Sequence, residues 1–145
     1  MCRVCELCRP IVNQCLNEGY EITTAKLQKL LYLIQGEYLK KYNKVFFNED
    51  ILAWNCGMAI REVNAEYSGE EAIFGFQKLL EVRIALLDSE QDVIQNVLRK
   101  YGKLSATQIM QLPIAKGLWD RHYVEGTSTT IPVDEIKEMF INYGE

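Results

Sequence analysis

The chain has 145 residues, with 16 Lys and Arg against 20 Asp and Glu, for a net charge of −4. Apolar residues make up 48% and charged residues 25%, a globular composition that excludes a disordered or fibrous chain. Cut after residue 72, the two halves each carry 8 basic and 10 acidic residues, so neither is a basic arm for nucleic acid. The longest apolar run, Leu30 to Ile34, is far short of the ~20 residues that cross a bilayer. Met1 to Glu6 contains no hydrophobic h-region, so no signal peptide is expected. Five cysteines, an odd number, read as reduced thiols of a cytoplasmic protein. One domain over residues 1–145 is expected, with 1–7 a frayed end or a backward extension of the first helix.

In chain order, Cys8, Ile11, Val12, Cys15 and Leu16 share one helical face, which predicts a helix over Cys8–Glu18. Pro10 suits its first turn and Gly19 its end. A second helix follows Thr23 or Thr24 as N-cap. Its stripe is Leu27, Leu30, Leu31, Ile34 and Tyr38, and it ends near Tyr42–Asn43. Lys26, Lys29, Glu37 and Lys40 are placed on the opposite, solvent face. Val45–Phe47 and Ile51–Trp54 flank a polar turn and are expected to pair as a hairpin, with Cys56–Met58 a loop. Arg61–Tyr67 reads as a short helix. Residues 71–87 mix both periods and fit a strand or a helix.

Asp88–Ser89 caps a helix with Val93, Ile94, Val97, Leu98 and Tyr101 inward and Gly102 as its C-cap. Ser105 and Gln108 form a capping box for another. Pro132–Tyr143 is the last, with Ile136, Met139 and Phe140 inward. The fold class is therefore mainly α, α+β at most: a compact single-domain fold of five to seven helices with a small β-hairpin.

Motifs for catalysis are absent. There is no phosphate-binding loop, dinucleotide fingerprint, H-E-x-x-H or nucleophile elbow. His122 is the single histidine, and nothing in the sequence brings it to Cys56 as base to thiol. Cys2, Cys5, Cys8 and Cys15 have thiolate spacings that could ligate zinc or an iron–sulfur cluster, but no second knuckle follows. Core packing of a helix explains Cys8 and Cys15 better. No cofactor is expected. The interleaved Tyr38–Lys44 segment suits stacking on single strands, and together with Lys26 and Lys29 it defines an alternative role as a nucleic-acid-binding regulator. A helix end with lysines against its dipole explains that segment more simply.

The stretch Thr24-Ala25-Lys26-Leu27-Gln28-Lys29-Leu30-Leu31-Tyr32 resembles the signature of the Panacea domain, the SocA-like antitoxin family that includes phage-associated GepA-type proteins. Gln35-Gly36, Phe46–Ile51, Ala53-Trp54-Asn55-Cys56-Gly57, Glu62-Val63, Tyr67, Tyr101–Ser105 and Trp119 continue the likeness in order. The chain departs from the family pattern at Met58-Ala59, Arg61 and Leu112-Pro113. The resemblance implies a non-catalytic protein-binding domain of a prophage or toxin–antitoxin locus. Its partner would be a cognate toxin encoded nearby, neutralised by contact or delivered to an ATP-dependent protease. Lys26, Gln28, Lys29, Trp54, Gly57, Glu62, Tyr67 and Trp119 are the candidate partner-binding residues. Gln28 and Lys29 are expected close to the Ala53–Gly57 loop, either tying its backbone or lining a groove with it.

Overall fold

The computed structural model describes residues 3–67 and 85–143. Among them are seven helices and three short strands: α1 (Arg3–Asn17), α2 (Thr24–Tyr42), β1 (Leu52–Trp54), β2 (Gly57–Ala59), α3 (Arg61–Glu66), α4 (Asp88–Tyr101), α5 (Ala106–Met110), α6 (Pro113–His122), β3 (Thr129–Thr130) and α7 (Val133–Tyr143). The protein is mainly α with a small antiparallel sheet of order β2-β1-β3.

Helix α2 is the axle of the molecule. Thr23 caps it by accepting the Lys26 N–H, and Asn43 closes it in the left-handed region at φ 57°. Its predicted stripe is fully inward, with Leu27, Leu30 and Leu31 at 0% exposure. The helix touches α4, α7, α3, α5, α1 and β2, so its polar positions as far as Gln35 are enclosed as well, while Lys41 near its end is exposed. Tyr32 meets Phe140 of α7 edge-on at 5.4 Å and donates its hydroxyl to Ile114 O of α6. Gly36 lets α7 approach, because a Cβ there would lie inside the Phe140 ring.

Helix α1 starts five residues before the predicted Cys8 and runs through Pro10 rather than starting near it. An interior proline disfavours a helix by about 3 kcal/mol. The offsetting contacts come from the segment before it: Val4 and Leu7 are buried, and Arg3 donates to Phe46 O at 3.1 Å and pairs with Glu90 at 2.7 Å. Gly19, at φ 78°, ends the turn that follows.

The hairpin differs from the expected one. Leu52–Trp54 pairs with Gly57–Ala59, not with Val45–Phe47, across the two-residue turn Asn55-Cys56. Phe46 and Phe47 are buried, but the Gln35 side chain takes the place of a strand partner. Gln35 Oε1 accepts the Phe46 N–H at 2.6 Å, and its Nε2 donates to Phe47 O at 2.8 Å. Gly57 has φ 122°, while Asn55 and Cys56 keep negative φ, so the turn's unusual backbone falls on the residue without a Cβ.

Strand β3, unforeseen in the sequence, pairs with β1 at Leu52↔Thr130 and Ala53↔Thr129. With Ile131 N–H on Ile51 O, the alternation turns the Thr130 backbone groups away from β1. Helix α4 buries the predicted five residues. Its N-terminus is Leu87, whose N–H is held by Glu90 at 2.8 Å, rather than Asp88 or Ser89. Gly102 is right-handed at φ −61°, not a left-handed cap. Its glycine is required because a Cβ would press on the Tyr20 ring at 2.6 Å. The Ser105–Gln108 capping box is present in both directions. The chain then breaks at Leu112 and restarts at Pro113 as α6, a separate helix the sequence pattern did not reveal. Ile136, Met139 and Phe140 are inward on α7 as predicted. Of the ambiguous stretch 71–87, residues 71–84 lie outside the described residues, and 85–87 are neither helix nor strand.

Candidate functional site

The signature polar residues of α2 are not on a solvent face. Lys26, Gln28 and Lys29 are 4%, 5% and 2% exposed. This corrects the amphipathic reading, which put Lys26 and Lys29 outside with Glu37 and Lys40; of the four, Glu37 and Lys40, both partly buried, stay near the surface. A helix packed on all sides has no polar face, so its polar side chains must find partners inside.

Each does so with backbone. Lys26 Nζ donates to Glu21 O and Gly102 O, both at 2.6 Å, joining the α1–α2 loop to the end of α4. Gln28 Oε1 accepts the Ile60 N–H at 2.8 Å, while its Nε2 donates to Thr24 O at 3.3 Å. Lys29 Nζ reaches Ala25 O at 3.3 Å and Met58 O at 3.5 Å. Gln28 and Lys29 therefore bind backbone at Met58 and Ile60, on the outer edge of β2 and at its end: a tie, as in one version of the sequence expectation, but to residues just beyond the expected Ala53–Gly57 segment. Gly57 is buried beside them: a Cβ there would meet Met110 and, at 2.9 Å, Lys29 Cε.

Burial holds the Lys29 ammonium below its usual 10.5, with the Cys56 sulfur offsetting part of the effect. Burial lowers Lys26 likewise. In the unfolded chain Lys29 titrates near 10.5, so between the folded value and 10.5 the unfolded state binds more protons and stability rises with pH. Below that window the penalty is complete and constant. Lys29→Met removes it, so the parent protein is expected to gain stability relative to Lys29→Met between pH 7 and pH 10. Urea midpoints of both proteins at the two pH values check this, and the difference cancels the tyrosines common to both. A gap that stays constant with pH means Lys29 is not desolvated as described.

Three half-buried aromatic residues gather at the other end of the hairpin. Trp119 Nε1 donates to Trp54 O at 2.6 Å, fixing α6 to the hairpin turn. Trp119 stacks on Tyr123 with centroids 4.6 Å apart and planes 11° from parallel. Trp54, Trp119 and Tyr123 are each half-buried, and Asn55 and Cys56 are exposed at the turn. Trp54 and Tyr123 line an open cavity of about 470 Å³ with Asn55, Glu125, Gly126, Thr127 and Ser128. Tyr123 is the member of this set that the sequence reading missed. Its place four residues after Trp119, one helical turn on, was the available signal.

The remaining candidates stand apart from this cavity's lining. Glu62 is exposed on α3, and its carbonyl receives the Cys5 thiol at 3.6 Å. Tyr67 is 9% exposed, its carbonyl accepts from Thr24 Oγ1, and burial pushes its hydroxyl up to about 12. Cys5, Cys8 and Cys15 are core residues of α1, and burial raises the Cys15 thiol to about 11. Among the described residues, which exclude Cys2, no group of three His, Cys, Asp or Glu could hold a metal ion. His122 is engaged by Glu135 at 2.9 Å. The Lys26/Lys29 surface invoked for nucleic acid does not exist, because both side chains are enclosed. Among the described residues no helix is long and apolar enough to cross a membrane.

Arg61 sits at the first position of α3, where a proline is equally at home, so this departure from the signature leaves the local fold unchanged. The model of one protein family, antitoxin SocA-like, Panacea domain, matches residues 27–120, from the α2 stripe to just past Trp119. No curated protein and no solved structure matches the chain.

Proposed function

The chain belongs to the antitoxin SocA-like, Panacea-domain family, and on that premise we propose that it is a binding protein that neutralises a cognate toxin encoded nearby by direct contact. The observation that carries this reading is the division of labour in the fold. The signature residues Lys26, Gln28 and Lys29 are consumed in tying backbone and Gly57 is packed beneath them, which leaves the half-exposed Trp54–Trp119–Tyr123 face to meet a partner. Trp and Tyr are over-represented among residues that dominate binding energy, and here their geometry is set before any partner arrives. Delivery of the toxin to an ATP-dependent protease is the finer form of this proposal. The locus would be a prophage or another toxin–antitoxin region.

Expression of the adjacent open reading frame alone is expected to arrest growth, and co-expression with this protein to restore it with co-purification of the pair. A neighbour that is harmless alone and does not co-purify overturns the reading. A toxin half-life that is unchanged in a host lacking ATP-dependent proteases removes the adaptor form and leaves neutralisation by contact.

A further inference from the structure

The cavity beside Trp54 carries a chemical bias that a general protein-binding face does not require. Its walls include two aromatic rings, Trp54 and Tyr123, and one carboxylate, Glu125. Trp119 covers one face of the Tyr123 ring, so only the opposite face is available to an incoming group. No lysine or arginine is among the lining residues described. The cations of the neighbouring helix α6 are engaged elsewhere: Lys116 pairs with Asp120 at 3.2 Å and Arg121 with Glu135 at 2.9 Å. Glu125 itself is exposed and makes no ion pair among the described residues.

An aromatic face attracts cations through its quadrupole, and a carboxylate at the rim adds a full negative charge. The chain's net charge of −4 acts in the same direction over longer range. A volume of about 470 Å³ exceeds what a guanidinium needs and leaves room for its aliphatic stem. We propose that this cavity takes an arginine side chain from a basic segment of the protein partner. The guanidinium lies against Tyr123 and Trp54 and donates to the Glu125 carboxylate. The identity of the supplier rests on the antitoxin reading; the cation preference rests on the cavity alone.

The probe is N-acetyl-arginine amide, with the neutral near-isostere N-acetyl-citrulline amide as comparison, titrated into the full chain. The indole N–H resonances of Trp54 and Trp119 are followed by NMR. The arginine compound is expected to shift them saturably in the millimolar range, and the citrulline compound at least about five-fold more weakly. Glu125→Gln is expected to weaken the arginine response by a similar factor without moving the melting temperature, since Glu125 is exposed. Equal response to both compounds, no saturable response, or indifference to Glu125→Gln each overturns the proposal. If the co-purified toxin binds the parent and Glu125→Gln equally, the antitoxin reading stands and the arginine site falls. If the arginine compound binds selectively but no neighbour does, the site stands and the antitoxin reading falls.

Discussion

Gln35→Ala will lower the stability of the protein by about 3 kcal/mol and its melting temperature by roughly 10 °C. The side chain is 2% exposed and serves the Phe46 N–H, the Phe47 N–H and the Phe47 carbonyl at once. Alanine strips all three groups of their partner in a region too tight to admit water freely, and each orphaned group carries a penalty of about 1–3 kcal/mol. Phe46 and Phe47 are core residues, so the segment cannot swing out to recover solvent bonds without exposing both rings. Gln35→Glu separates the parts. The protonated acid keeps an acceptor for the N–H groups and a donor for Phe47 O, so at low pH the variant is expected to fall between the parent and Gln35→Ala, and at high pH, where a buried carboxylate would face Phe47 O, to lose that advantage. Thermal unfolding by circular dichroism gives all three values. A Gln35→Ala protein that melts within about 2 °C of the parent would mean these backbone bonds are replaced by water at no penalty.

Gly36→Ala is expected to be damaging too, for the opposite reason. Alanine in mid-helix is favoured over glycine by about 1 kcal/mol, so propensity alone predicts a stabilised protein. Here the added methyl would overlap the Phe140 ring, which is 0% exposed and has no room to withdraw. Overpacking of this kind typically costs about 1–3 kcal/mol, and the α2–α7 contact is among the most extensive in the molecule. The net expected loss is about 2 kcal/mol. Gly36→Ala combined with Phe140→Leu is expected to recover part of it, because the smaller side chain vacates the space the methyl needs. The four proteins form a double-mutant cycle in urea, and strict additivity would overturn the packing argument.

Both residues show where sequence reading reached and where it stopped. The apolar stripe of α2 was legible because Leu27, Leu30, Leu31, Ile34 and Tyr38 repeat at helical spacing. The stripe, however, describes one face, and α2 is enclosed on every side from Lys26 to Gly36. Hydropathy places a lysine in solvent by default, so Lys26 and Lys29 were assigned outward. Only the positions of Gly102, Glu21 and Met58 carbonyls in space make their burial tolerable.

The hairpin was misassigned for a related reason. Val45-Phe46-Phe47 has strand composition and is buried like a strand, yet its hydrogen bonds go to a side-chain amide eleven residues earlier, a pairing with no sequence period. Strand β3 is two residues long and joins β1 from far along the chain, again without local signal. At the candidate site, Trp54 and Trp119 were legible as aromatic residues in an ordered family pattern. Their mutual hydrogen bond, and the part of Tyr123 in the same stack, depend on how α6 lies across the hairpin turn.

The sheet is asymmetric in a way that governs how copies of the protein can associate. On the β2 side, Gln28 and Lys29 of α2 occupy the outward backbone groups of Ile60 and Met58. On the β3 side, the outward groups of Thr130 have no partner among the described residues. Fibrillar growth by strand addition needs two open rims on every unit, one to receive and one to offer. Among the described residues the β3 side is the open rim, and it is short and runs into Pro132, which lacks an N–H to donate. Two copies pairing through that rim would satisfy each other about a two-fold axis and leave nothing to extend. The helix that carries the signature thus also guards a border: among the described residues, Gln28 and Lys29 cover one side of the sheet, so strand addition through the other side favours a closed pair over an open chain.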